Sequence, residues 1–130
     1  MFNTDWQWIN PKTKTSGNNL HNPNFISIKK LKACIEIKFH KNALLKYGIH
    51  QKTKIGIAMN KDNTAMAIKV DEPNGYTVGK VGNLATALQI KIANSKISIP
   101  KLKDNRLYIQ EDKIYKQDGL LIIGFKNIRN

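Results

Sequence analysis

From Leu31 to Phe39 the chain alternates without a break, with Leu31, Ala33, Ile35, Ile37 and Phe39 on one side and Lys32, Cys34, Glu36 and Lys38 on the other. A period of two cannot wrap a helix; it makes a strand with one buried face and one solvated face. Ile26 and Ile28 alternate with polar residues just upstream, which predicts a hairpin turning near Leu31. The same signature returns at Ile55 and Ile57, at Thr64–Val70 after the turn-formers Asn60 to Asn63, and at Leu88–Ile92. It returns again at Arg106–Gln110 and at Leu120–Phe125, the last after Asp118 and Gly119. Tyr76–Lys80 reads as a further strand, followed by a turn at Gly82 and Asn83. Lys41–Tyr47 places Leu44, Leu45 and Tyr47 roughly on one side and stops at Gly48, the pattern of a two-turn helix with a left-handed cap. Asn94–Ile97 is expected to form one helical turn before Pro100. The fold class expected is mainly β with one or two short helices.

The order strand, strand, short helix, strand, strand occurs twice, in residues 25–72 and 76–126, with the breaker Asp71–Gly75 between them. Ile37, Lys38 and Phe39 align with Ile90, Lys91 and Ile92 as the strongest register mark. This predicts an internal duplication whose halves close into one small barrel over residues 25–130. Residues 1–24 show neither strand nor helical periodicity and are expected to form an extended arm carrying Trp6 and Trp8. A chain of 130 residues suits a single domain.

Charge then narrows function. Lys and Arg number 22 against 9 Asp and Glu, a net charge of +13. The excess is uneven: residues 25–60 hold eight Lys and one Glu, and residues 76–103 hold five Lys and no acid. Scattered solubility charge would be more uniform, so a polyanionic partner is expected. On alternating strands these lysines project from the face opposite the core, where phosphates can reach them. With 20 Lys to 2 Arg, backbone contact is expected to outweigh base reading. Trp6 and Trp8, or Tyr76 and Tyr108 on strands, are placed to stack on unpaired bases, or the tryptophans anchor the arm to the domain.

Chemistry is not signalled. His21, His40 and His50 have no second ligand at metal spacing, GKVGN lacks phosphate-loop spacing, and no nucleophile motif is present. The chain is expected to be a non-enzyme without cofactor or metal. Cys34 is expected to be a buried packing residue, and one Cys allows no internal disulfide. The absence of a secretory signal or long apolar run gives the expectation of a cytoplasmic protein that does not enter membranes.

The segments ISIKK, IEIKF, KNALLKY with Gly48 and Ile49, TKIGIAM and AMAIKV resemble the swapped-hairpin family of AbrB-type regulators and MazE-type antitoxins. The usual glycine of the first turn is missing, His40 replaces the proline that opens the helix, and Lys52 and Thr53 replace a Gly-Asp pair. The second half resembles the pattern through Gly82, Ile90–Ile92, Leu102 and Leu107–Ile109, which would make one chain a fused pseudo-dimer with a swapped-hairpin or double-psi-like barrel. In that family the first hairpin and the helix start contact DNA. By position the resemblance implies Lys29, Lys30, Lys32, Lys38 and Lys41, with Lys80, Asn83 and Lys91 in the second half. The leading expectation is thus a duplex-DNA binder. The alternatives are a phage single-stranded-DNA-binding protein on a barrel of the oligonucleotide-binding kind, and a phage-encoded protein-binding inhibitor; self-association is open in each.

Overall fold

The alternating hairpin forms as its pattern requires. In the computed structural model, which describes residues 24–81 and 84–125, β1 (Asn24–Lys30) and β2 (Cys34–His40) pair antiparallel with Ile28 opposite Ile37. Ile26, Ile28, Ile35, Ile37 and Phe39 are all buried. The chain continues directly into helix α1 (Lys41–Tyr47), which ends at Gly48 with φ 67°. The Ile49 N–H closes this cap on the Leu44 carbonyl at 2.9 Å.

β3 (Lys54–Met59) and β4 (Ala65–Val70) make the second hairpin. Asn60 organises its turn, its Oδ1 accepting from the N–H groups of Thr64 at 2.8 Å and Ala65 at 3.0 Å. The later strands are β5 (Tyr76–Thr77), β6 (Gly79–Val81), β7 (Leu84–Ala93), β8 (Arg106–Gln110), β9 (Ile114–Gln117) and β10 (Leu120–Gly124), with 3-10 turns at Lys103–Asn105 and Glu111–Lys113. Asp118 and Gly119 both take positive φ, 54° and 78°, the geometry of a two-residue primed turn that matches strand twist.

Ladders join these strands into two five-stranded antiparallel sheets, ordered β6-β7-β2-β1-β8 and β5-β3-β4-β10-β9. Their inner faces share one core, with Phe39, Ile37, Ile90 and Ile109 from the first sheet and Ile55, Met66, Ile68 and Ile123 from the second. Each such side chain contributes about 1.5–3 kcal/mol by leaving water.

Several expectations are corrected. In place of the closed barrel expected from the sequence, the described residues form two antiparallel sheets that do not close, their ladders among these residues ending at β6 and β8 and at β5 and β9. Tyr76–Lys80 is not one strand. It breaks at the buried Val78, whose N–H donates to the Thr53 carbonyl at 3.0 Å, so β5 joins the second sheet and β6 the first. Asn94–Ile97 forms a turn rather than a helical turn; the Asn94 amide donates to the Leu31 and Lys32 carbonyls at 3.2 and 3.0 Å and pins the β1–β2 turn. The strand at Leu88–Ile92 extends to Leu84–Ala93, and β9 is a strand that the sequence pattern does not predict. Cys34 is half-buried on the outward side of β2 rather than packed in the core. The expected N-terminal arm, including Trp6 and Trp8, and the turn at Gly82 and Asn83 lie outside the described residues.

Candidate nucleic-acid interface

The register of the first sheet determines which outward side chains meet. One cross-strand row runs Arg106 (β8), Lys29 (β1), Glu36 (β2), Lys91 (β7). The next runs Tyr108, Ser27, Lys38, Gln89 and Gly79. Neighbouring strands lie about 4.8 Å apart, so the four cations occupy one patch, with the Glu36 carboxylate within it and Asp104 acting on Arg106 at its edge. Lys91 Nζ bridges Glu36 at 3.6 Å, and the Arg106 guanidinium donates to the Tyr108 hydroxyl at 3.4 Å. Lys29 and Arg106 face each other as directly opposed like charges, an arrangement that weakens a sheet.

Between these side chains lies a shallow hollow of about 130 Å³ lined by Ser27, Lys29, Glu36, Lys38, His40, Arg106 and Tyr108. That is smaller than the cavities that enclose small-molecule substrates, and it suits surface contact with one charged group. Tyr108 is 42% exposed beside the small Ser27, leaving a ledge along the sheet.

His40 closes one end of the patch, its Nε2 hydrogen-bonded with Ser27 Oγ at 3.0 Å. Burial, and secondarily the Lys38 ammonium, hold its pKa below the ordinary 6.5. The unfolded chain therefore takes up this proton at a higher pH than the folded one. The stability tied to neutral His40 is complete above pH 6.5 and is lost as pH falls from there toward the lowered folded value. Melting temperatures of the parent and of His40→Gln, followed from about pH 7.5 to pH 5, are expected to diverge, with the variant losing less on acidification. Parallel curves would remove His40 from the pH response.

The residues expected from the sequence separate into groups. Lys29, Lys38 and Lys91 come together on the outer face of three adjacent strands. Lys30 and Lys32 are exposed at the β1–β2 turn, whereas Lys41 starts α1 at the opposite end of β2. A strand of seven residues spans about 20 Å, so Lys41 and the turn lysines stand at opposite ends of β2. Lys80 is exposed on the edge strand β6, but its register partner is the buried Leu88, so it has the parity of the inner face rather than the outer one. Asn83, Trp6 and Trp8 lie outside the described residues. Arg106 joins this patch without being among the residues expected from the sequence, although its alternation with Leu107 and Ile109 puts it on the outward side of a strand. Its position beside Lys29 depends on β8 pairing with β1, which local pattern does not carry.

Among the described residues no group of three His, Cys, Asp or Glu side chains is placed to hold a metal, and no helix is long and apolar enough to cross a membrane. Comparison with protein-family models, with curated proteins and with solved structures finds no match for this chain.

Proposed function

We propose that the chain is a non-catalytic protein that binds single-stranded nucleic acid across the outer face of its first sheet. One observation carries this reading. Lys29, Lys38, Lys91 and Arg106 converge in two adjacent rows with the exposed ring of Tyr108, while the outward positions of β3, β4 and β10 in the second sheet are mostly small or apolar. Cations in a row on a sheet follow a phosphate backbone, and an exposed ring at the same level suits an unpaired base, which a duplex keeps stacked. Duplex recognition depends on an element that enters a groove about 12 Å wide. The best-placed lysines lie instead on the body of a sheet.

The test is competition between single and double strands of equal length at two salt concentrations. Single strand is expected to bind more tightly. The slope of log K against log salt is expected near −3, about −0.7 for each of four phosphates. Tighter duplex binding would restore the groove-reading alternative, and a slope near zero would end the electrostatic reading.

We infer also that the two halves arose by duplication. Supporting this, Ile37 lies opposite Ile90 at the junction of β2 with β7, and Ile68 lies opposite Leu121 at the junction of β4 with β10. Positions 37 and 90, and positions 68 and 121, share a spacing of 53 residues, as expected where a two-fold relation sets each residue against its own counterpart. Contribution of strands by each half to both sheets is in keeping with the resemblance to swapped-hairpin regulators.

A further inference from the structure

Outward positions of a solvated antiparallel sheet are normally polar. The second sheet departs from this: across its middle, one outward row runs Ala58 (β3), Ala67 (β4), Ile122 (β10), Tyr115 (β9). The row beside it runs Gly56, Lys69 and then, across β10 and β9, Leu120 and Gln117. We propose that this face takes a second copy of this chain in a two-fold symmetric dimer. The inference does not depend on nucleic-acid binding.

Charge selects the occupant. Two chains of net charge +13 repel, and contact through the first sheet would set its cations against themselves. On the second sheet the central Lys69 is bridged to Glu72 at 3.3 Å, and Lys54 stands at the margin with its ammonium on the Pro73 carbonyl at 3.3 Å. A copy of the chain can approach closely here with little like-charge cost.

Shape selects it too. The β3 and β4 side of the face is a hollow of about 310 Å³ floored by Gly56, Ala58 and Ala67, and the β10 and β9 side is a ridge of Ile122 and the 49% exposed Tyr115. A two-fold axis lying in the interface, parallel to the strands and between β4 and β10, sets ridge into hollow twice. Tyr115 then covers the partner's Ala58, and Ile122 covers the partner's Ala67. The face spans four strands and about four residues along each, on the order of 250 Å² in footprint, which is small for a permanent interface. The dimer is therefore weak and concentration-dependent.

Light scattering across a concentration series tests this. The mass is expected to rise from 14.8 kDa toward twice that value, and to rise further with added salt, which screens the repulsion. Ala58→Arg, at an exposed position, is expected to hold the chain at one copy with an unchanged melting temperature. A mass that stays at one copy up to on the order of 1 mM would overturn the proposal, as would a dimer indifferent to Ala58→Arg. The register is tested with Ala58→Cys and Tyr115→Cys combined in a Cys34→Ser background. Within one chain these positions are three strands apart, about 14 Å, too far for a disulfide. Mild oxidation is expected to yield covalent dimer; recovery of monomer alone would rule out this packing.

Discussion

Replacing Lys29, Lys38 and Lys91 together by Gln is expected to lower the affinity for single-stranded nucleic acid by about 100-fold near 50 mM salt, and to flatten the salt slope by about 2. The three residues sit on neighbouring strands of one face, so one phosphate backbone can meet all of them. Their removal also leaves Glu36 without the Lys91 bridge, adding an uncompensated negative charge to the patch. Folding carries a modest cost, because the Glu36 side chain is only 17% exposed and loses its ammonium partner, offset in part as removing Lys29 relieves its opposition to Arg106. A matched variant, Lys30→Gln with Lys32→Gln, alters charge at the turn and not on the face, and is expected to lose less than about 10-fold. Fluorescence anisotropy with a labelled oligonucleotide measures both. If the turn variant lost more than the face variant, the interface would move to the hairpin tip and a groove-entering mode would gain support.

The contrast between those variants marks how far the sequence could be read. That Lys29, Lys38, Lys91 and Arg106 are outward was legible strand by strand, because each alternates with buried Ile, Phe or Leu. Which strands are neighbours was not legible. β8 and β1 pair Arg106 with Lys29 across most of the chain, and that contact is decided by how the two sheets close over one core. Parity also misleads at irregularities. On the edge strand β6, Lys80 pairs with the buried Leu88 and so takes the inner-face register while staying exposed, next to a slip of the ladder between Lys80 and Val81. β9 carries no alternating signal because Ile114, Tyr115, Lys116 and Gln117 hold one half-buried apolar side chain and three exposed residues. It is a strand because the Asp118–Gly119 turn brings it against β10. By contrast the bounds of α1 were readable, since its cap depends on Gly48, but its face was not: Ala43 is the buried residue and Leu45, expected on the apolar side, is 72% exposed.

The largest loss of stability from a single methyl group is expected at Gly75→Ala. A Cβ on Gly75 would collide with the carbonyl group of Ile55 and lie 2.8 Å from the Gly56 nitrogen, and all of these are backbone atoms. Neither side has room to yield. Ile55 is fully buried, and β3 is held by β4 on one side and β5 on the other. The loop is tied by the Glu72 N–H donating to the Lys54 carbonyl at 3.0 Å and the Gly75 N–H donating to the Glu72 carbonyl at 2.8 Å. Making space means breaking those bonds or shifting a central strand, at a cost of about 3 kcal/mol or more. For a domain of this size that lowers the melting temperature by roughly 10 °C. Other glycines calibrate the effect. Gly48 and Gly119 have open space but φ of 67° and 78°, so alanine there carries only the left-handed penalty of about 1 kcal/mol. At Gly56 the nearest atom, 3.0 Å away, is the Glu72 Cγ, which belongs to a side chain able to rotate aside, and at Gly79 nothing lies within 4 Å. Thermal unfolding of the five alanine variants is expected to rank Gly75 first by a wide margin, with Gly79 close to the parent. A Gly75→Ala protein that melts within the range of Gly48→Ala would mean that the Asp71–Gly75 connection is not packed against β3 as described.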